Sequence, residues 1–288
     1  MMKFAVIDVG SNSVRLMFVA DGKVLYKALE TTRLGEGLAE KPCLKQEAIH
    51  RSAFAVSRFY ERAKAEGAEE VFVFATAAVR TALNRAEFLD RVRELCGLTV
   101  EVISGEEEAE IGILGALGNR DGGVIDIGGA STEIVVKRQG TLVYKKSVDI
   151  GVVRLKDKCG REKAALKKEA ELASSAYGEI PLKGEIYAIG GTATTLASLT
   201  LGLTEYSSEK VTGAVIAKAQ MVELADKLLS MPVEEIAKLP CMPKGRADVL
   251  AGGAVLFATL MENLGFERLI VSDRDNLEGY AIKKGLME

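Results

Sequence analysis

The sequence predicts an α/β fold made of two copies of one unit that face each other across a cleft. Three observations carry that prediction. The string VIDVGSNSVRLMFV at Val6–Val19 returns as VIDIGGASTEIVVK at Val124–Lys137, so that Asp8 is answered by Asp126, Gly10 by Gly128 and Ser13 by Ser131. Around each string the same order of apolar runs and turns recurs, strand, sharp turn, strand, hairpin, strand. The chain of 288 residues, 48% of them apolar, also exceeds the usual size of one domain and can fill two cores. A repeat of about 120 residues is a duplicated domain, not a solenoid. Duplication places a ligand between the copies.

In the first copy, Phe4–Val9 reads as a strand, Gly10–Ser13 as a turn and Val14–Val19 as a second strand. Asp21 and Gly22 suit a two-residue hairpin turn into Lys23–Leu29. A helical pattern over Lys45–Glu66 stops at Gly67, and VFVFAT (71–76) follows as a buried strand. Asn84 and Glu87 bracket the start of another helix, TVEVIS (99–104) is the next strand, and Ser104 with Glu107 forms a capping box that opens a helix. The second copy runs Val124–Ile127, a glycine turn, Glu133–Arg138, a Gln139–Gly140 turn and Thr141–Val148. Beyond these lie a helix over Glu162–Tyr177, a strand at Glu185–Ile189, helices over Ile216–Met231 and Arg246–Asn263, a strand at Arg268–Val271 and a last helix over Asp275–Met287. The boundary falls in GNRDGG (118–123), dividing 1–120 from 121–288, with the terminal helix 275–288 free to pack back on the first unit.

Composition excludes several kinds of chemistry. A net charge of −3 is too small to steer the chain onto nucleic acid or an anionic membrane, so a bound anion has to be held by local geometry. Cys43, Cys96, Cys159 and Cys241 lie far apart without a CxxC pair, as in a reducing cytosol. His50 is the only histidine and sits in a helical pattern, as a surface residue would. A zinc centre of the Cys/His type cannot be assembled. In an enzyme of this composition the proton work falls to carboxylates. The N-terminal apolar run is broken at Asp8 and no run of 18 apolar residues occurs, so a soluble, cytoplasmic protein without a secretion signal is expected.

The repeated turns carry the chemistry. In each copy an Asp ends a buried strand and small residues follow: Gly10, Ser11, Asn12 and Ser13 in one, Gly128, Gly129, Ala130, Ser131 and Thr132 in the other. Such turns let backbone N–H groups converge on an anion, and their hydroxyls add donors. A carboxylate beside a phosphate makes sense with a divalent cation between them, since Mg²⁺ favours one or two carboxylates, water and phosphate oxygens. Each Asp alone is equally compatible with a cap on a hairpin turn, but a hairpin does not require the whole D-x-G-x-x-S string twice. Arg15 is answered by Glu133, so one copy offers a cation for phosphate oxygens and the other a second carboxylate for metal or water.

Other candidates are less specific. In the EEE run, Glu106 and Glu107 are accounted for by the helix dipole, whereas Glu108 shares a face with Gly112 and Gly115. Each helix glycine costs about 1 kcal/mol relative to Ala, so something must approach that face closely. Arg80 ends a buried strand, where a guanidinium could clamp phosphate oxygens or simply lead into the next helix. AIGGTATTLASL (188–199) is a strand, then Gly190, Gly191 and Thr192 opening a helix, a site for a polar group or a packing turn.

In this order and spacing, VIDVGSNSVRL, ATAAVRTALN, ISGEEEA, VIDIGGASTEIV and AIGGTATTLASL resemble the exopolyphosphatase and guanosine pentaphosphate phosphohydrolase (Ppx/GppA) family. GRADVLAGGAVL and VSDRDNLEG extend the likeness to the C-terminus. The resemblance implies duplicated ribonuclease-H-like domains of the actin, Hsp70 and sugar kinase superfamily. It implies release of terminal phosphate from polyphosphate or guanosine pentaphosphate with Mg²⁺, or Mn²⁺, as cofactor. Glu108 would be the general base, while Asp126 and Glu133, with Asp8 nearby, would serve the metal and the attacking water. Ser11, Asn12, Ser13, Arg15 and Arg80 would lie at the phosphates with Gly128, Gly129, Ala130, Ser131 and Thr132, and Gly190, Gly191 and Thr192 would touch nucleotide or polyphosphate. Two departures stand out: Ala130 takes the place of a third glycine, and the helical C-terminal domains of longer members are missing, which bears on long-chain grip. A phosphotransferase or a nonhydrolytic nucleotide or polyphosphate sensor would share the fold, and a homodimer is compatible with the sequence.

Overall fold

The computed structural model describes residues 2–287. Strands β1 (Lys3–Val9), β2 (Ser13–Ala20) and β3 (Lys23–Thr31) form an antiparallel meander, and β4 (Glu70–Ala75) and β5 (Glu101–Val102) extend it in parallel from β1. Helices α1 (Gln46–Ala65), α2 (Ala77–Thr81), α3 (Arg85–Cys96) and α4 (Gly105–Leu117) complete this half. The meander recurs as β6 (Gly122–Ile127), β7 (Thr132–Arg138) and β8 (Thr141–Val148), followed by α5 (Val152–Cys159), α6 (Lys163–Tyr177), β9 (Ile186–Ile189), α7 (Gly190–Thr200), α8 (Ser208–Val211) and β10 (Val215–Ala217). The chain ends through α9 (Lys218–Ser230), α10 (Val233–Ile236), α11 (Ala247–Leu264), β11 (Arg268–Val271) and α12 (Asn276–Lys283).

Sheet order is β3-β2-β1-β4-β5 in one half and β8-β7-β6-β9-β11-β10 in the other, the same order with one added antiparallel edge strand. This is a duplicated ribonuclease-H-like fold. The copying reaches into detail. Both hairpins turn through a left-handed residue followed by glycine, Asp21 (φ 52°) with Gly22 and Gln139 (φ 50°) with Gly140. Pairing slips by one residue at Phe18/Val19 in the first meander and at the equivalent Val136/Lys137 in the second.

The expected TVEVIS strand shrinks to Glu101–Val102, because only Phe74 and Ala75 of β4 pair with it. The helix expected over Ile216–Met231 begins at Lys218. Its first residues form β10, where Val215 pairs with Ile270 and covers the edge of the sheet. The last helix stops at Lys283, before Gly285 in the left-handed region (φ 69°). Helices α2, α5, α8 and α10 are too short for periodicity to announce. Helix α11 is by composition long and apolar enough to cross a membrane, the one such helix among the described residues, yet it is mostly buried as the core helix of the second half.

Alternation along β1 divides two cores. Ala5, Ile7 and Val9 face the cluster that includes Leu16, Val56 and Phe88, while Phe4 and Val6 face Leu277 and Tyr280 of α12. Helix α4 in turn lays Ile113 and Leu117 on Val124 and Val135 of the second sheet. The last helix of each half therefore covers the sheet of the other. Where α4 and α12 cross, glycines permit backbone contact: a Cβ on Gly115 would overlap the Asp275 carbonyl, and one on Gly279 the Ile111 carbonyl. The close approach expected on the glycine face of α4 is thus made by α12.

Gly115→Ala or Gly279→Ala must push these helices apart, and overpacking of this kind costs about 1–3 kcal/mol. Gly252→Ala in α11 meets Leu166 and Leu155 only at ordinary distances of 3.5 and 3.9 Å. Denaturant unfolding is expected to show a loss for the first two substitutions and none for the third.

Candidate active site

Asp8 and Asp126 occupy the same place, one residue before the end of β1 and β6. Antiparallel register sets Arg15 directly opposite Asp8 and Glu133 opposite Asp126, so each pair shares a face of its sheet. Past each Asp the chain turns in the same way, with Gly10 N donating to Ser13 O and Gly128 N to Ser131 O, both at 3.0 Å. The turn carbonyls accept from elsewhere: Ser11 O from Gly35 N (2.8 Å), Asn12 O from Arg33 N (2.9 Å), Gly128 O from Val152 N (3.0 Å) and Gly129 O from Val153 N (2.8 Å). With carbonyls pulled outward, the N–H edges of the turns are left for the cleft.

The two turns meet. A Cβ on Gly129 would lie 2.6 Å from Ser11 Cβ and 3.0 Å from Asn12 N, so only glycine allows this contact. Ala130 is buried beside it, and Gly151 packs so closely that a Cβ there would overlap the backbone of Gly129 and the Ala130 amide. Beside the junction is a cavity of about 70 Å³ bordered by both strand-end aspartates, Glu108 and Gly190.

Three buried carboxylates border this space, Asp8, Glu108 and Asp126, and a fourth, Glu133, is buried opposite Asp126 on β7. Burial, the largest cause in each case, raises the pKa of all four. For Asp126 it reaches about 8, with Arg15 opposing and Asp275, Glu108 and Asp8 adding to the rise. Glu133 is pushed well above its ordinary range by burial and then by Glu108 and Asp126, although Ser147 Oγ donates to its Oε1 at 2.6 Å. Arg80 opposes the rise at Glu108, donating to its Oε2 at 2.9 Å and to Ile103 O at 3.1 Å. Arg15 Nε donates to Asp8 Oδ2 at 3.0 Å, and the same guanidinium pairs with Asp275.

Several buried polar atoms have no protein partner: Asp8 Oδ1, both Asn12 amide atoms and Asn276 Oδ1. Among the described residues no three Asp, Glu, His or Cys side chains converge into a ready cation cage. A free carboxylate oxygen within a mutually repelling acidic group suits a divalent cation that keeps much of its water, as Mg²⁺ does. Asp8, Asp126 and Glu133 are the side chains that could hold it.

Ser11, Asn12, Ser13, Gly128, Gly129, Ala130 and Ser131 line the cleft, as do Gly190, Gly191 and Thr192. Gly190 (φ 80°) lies against Asp126, where a Cβ would press on Oδ1. Thr132 is an exception to the expected cradle: it is fully buried and its hydroxyl donates to Ile150 O at 2.6 Å, away from the cleft. Arg15 and Arg80, expected at phosphates, are each paired with carboxylates beside the cleft.

Three residues here escape a local reading of the sequence. Arg246 is 7% exposed and donates to Gly191 O (2.7 Å) and Thr195 Oγ1 (3.3 Å), with no carboxylate partner among the described residues. Burial, and then Arg15, lowers its pKa to about 10. Asp275 pairs with Arg15, and Asn276 Nδ2 donates to Asp126 Oδ2 at 3.0 Å. The only local signal was the capping box that Asp275 forms with Glu278, which marks a helix start and no more.

Doubled ribonuclease-H-like domains with matched Asp-glycine turns facing across a cleft define the actin, Hsp70 and sugar kinase class of proteins. Within that class, the Ppx/GppA phosphatase family model matches residues 5–286, and the chain belongs to this family. It is 32% identical to exopolyphosphatase 2 of Mycobacterium tuberculosis over 97% of this chain and 98% of that protein. It is 31% identical to the guanosine-5'-triphosphate,3'-diphosphate pyrophosphatase of Vibrio vulnificus, over 98% of this chain and 58% of that longer protein. The crystal structure of the Aquifex aeolicus Ppx/GppA family member superposes with a TM-score of 0.79 at 31% identity, covering 99% of this chain and 98% of that one.

Without divalent cations, stability is expected to fall as pH rises from about 5 to 8. Folded Asp126 keeps its proton up to about 8, whereas the unfolded chain releases it near 3.8, so the folded state binds the extra proton in between. Asp8, Glu108 and Glu133 act in the same direction. The lowered pKa of Asp275 acts oppositely but only below its ordinary value of 3.8. Calorimetric melting across this range checks the sign; a melting temperature that climbs instead would mean the cluster is ionised in the folded protein.

Proposed function

We propose that the protein hydrolyses the terminal phosphoanhydride of inorganic polyphosphate or guanosine pentaphosphate by in-line attack of water. Family membership makes it an exopolyphosphatase/GppA-type phosphohydrolase; the substrates and residue roles are our reading. The observation that carries it is the meeting of two amide-edged turns beside four buried carboxylates. Turns of that kind bind phosphoryl oxygens, and the acids supply both cation ligands and a base.

When bound, Mg²⁺, with Mn²⁺ as an alternative, would neutralise charge on the transferring group. Asp8, Asp126 and Glu133 would hold it directly or through water. The amides and hydroxyls of Ser11, Asn12, Ser13, Gly129 and Ser131 orient the terminal phosphoryl group, and Gly190, Gly191 and Thr192 at the start of α7 offer donors to the next one. Glu108 accepts the proton of the attacking water. Its burial raises its basicity, and Arg80 opposes that rise. Arg246, lacking a carboxylate, has its charge left for phosphate oxygens.

Guanosine pentaphosphate is favoured as one substrate by a hollow of about 730 Å³ next to the cleft. The hollow shares Arg15, Gly191 and Arg246 with the cleft, and Val24, Leu25 and Tyr206 give it an apolar wall suited to a nucleoside.

Phosphate release from short polyphosphate, long polyphosphate and guanosine pentaphosphate, each with and without Mg²⁺, tests the reading. Release that requires Mg²⁺ is expected from at least one; none from any would remove it. Glu108→Gln is expected to lower turnover by about 10²–10⁴ while Mg²⁺-dependent substrate binding persists. Normal turnover in that variant would strip Glu108 of its role.

A further inference from the structure

We infer that Asn276 is a positioning residue of the cleft: its amide nitrogen fixes the Asp126 carboxylate for cation binding. This assignment rests on the Mg²⁺ reading above.

Asn276 is the first residue of α12 and 4% exposed. Its Nδ2 donates to Asp126 Oδ2 at 3.0 Å, while its Oδ1 is buried without a partner. A carboxylate that ligates a cation is ionised and only accepts, so in the cation-bound state the amide turns its nitrogen to Asp126. A buried polar atom left unpaired is destabilising, so packing alone would favour an apolar side chain here. Space is kept for the amide as well. A Cβ on Gly112 would stand 3.0 Å from Asn276 Oδ1 and 3.2 Å from Ile189 Cδ1, so glycine at 112 keeps room for the amide.

The neighbouring residue reinforces the assignment. Asp275 holds Arg15, whose Nε donates to Asp8 Oδ2. Two consecutive residues of one segment thus reach both duplicated aspartates, Asp8 through Arg15 and Asp126 directly. With Oδ2 of Asp126 occupied by Asn276, Oδ1 is the oxygen left for a ligand. Hydrogen bonds to ligating carboxylates are typically worth about 10–100-fold in metal affinity or activity.

The test uses the full chain with Mn²⁺ as probe, read by calorimetry or electron paramagnetic resonance without substrate. Asn276→Leu is expected to weaken Mn²⁺ binding about 10–100-fold and to raise the half-saturating Mg²⁺ for phosphate release in proportion. The KM for the phosphate substrate at saturating Mg²⁺ should not move. Gly112→Ala, which presses on Oδ1, should weaken Mn²⁺ binding to a smaller degree. Asp126→Asn separates the two levels of inference: if it binds Mn²⁺ like the parent protein, the metal reading itself fails. If Asp126→Asn loses Mn²⁺ but Asn276→Leu keeps parental affinity, Asn276 is a packing residue and the assignment is overturned. Should Asn276→Leu not fold, Asn276→Ser, too short to reach Asp126, carries the same two outcomes.

Discussion

The contact on which the architecture depends is the crossing of α4 and α12 at Gly115 and Gly279. Two helices that touch backbone to backbone leave little latitude in the spacing of the sheets they cover. That spacing determines whether the turns after β1 and β6 meet or miss. Gly129 against Ser11 is the downstream expression of the same closeness. Small residues at both places trade helix propensity and turn freedom for proximity.

Several charge contacts on this frame tie segments of the two halves together. Arg15 of the first sheet is held by Asp8 and by Asp275 from the far end of the chain. Lys27 of β3 reaches Glu278 of α12 at 2.7 Å. Arg33 meets Asp248 at 2.8 Å, and Gly37 N donates to Asp157 at 2.7 Å. Acidic excess is concentrated at the meeting of the turns, where burial makes it costly and a cation would relieve it. This pattern, costly alone and favourable with a ligand, is characteristic of functional sites more than of structural ion pairs.

Much of this was legible in the residues. The repeat announced the duplication, its turns located the cleft, and helix glycines signalled a close neighbour before that neighbour was identifiable. What could not be read were relations between distant segments. Nothing local in GRAD marks Arg246 as buried without a counter-ion, and nothing in DRDN says that its Asn will find Asp126, 150 residues away. Thr132 failed for the opposite reason: its place in a motif suggested a donor to ligand, whereas tertiary packing gave its hydroxyl to Ile150. Short elements such as α5 and β10 went unseen or merged with neighbours because a few residues carry no usable period.

The exchange of terminal helices has a consequence for biosynthesis. Phe4 and Val6 leave the ribosome long before the residues that cover them, Leu277 and Tyr280. The leading half therefore waits with an uncapped apolar sheet face through most of translation, a span in which exposed strands invite aggregation or chaperone capture. That face is closed only when one short helix docks on a strand made far earlier.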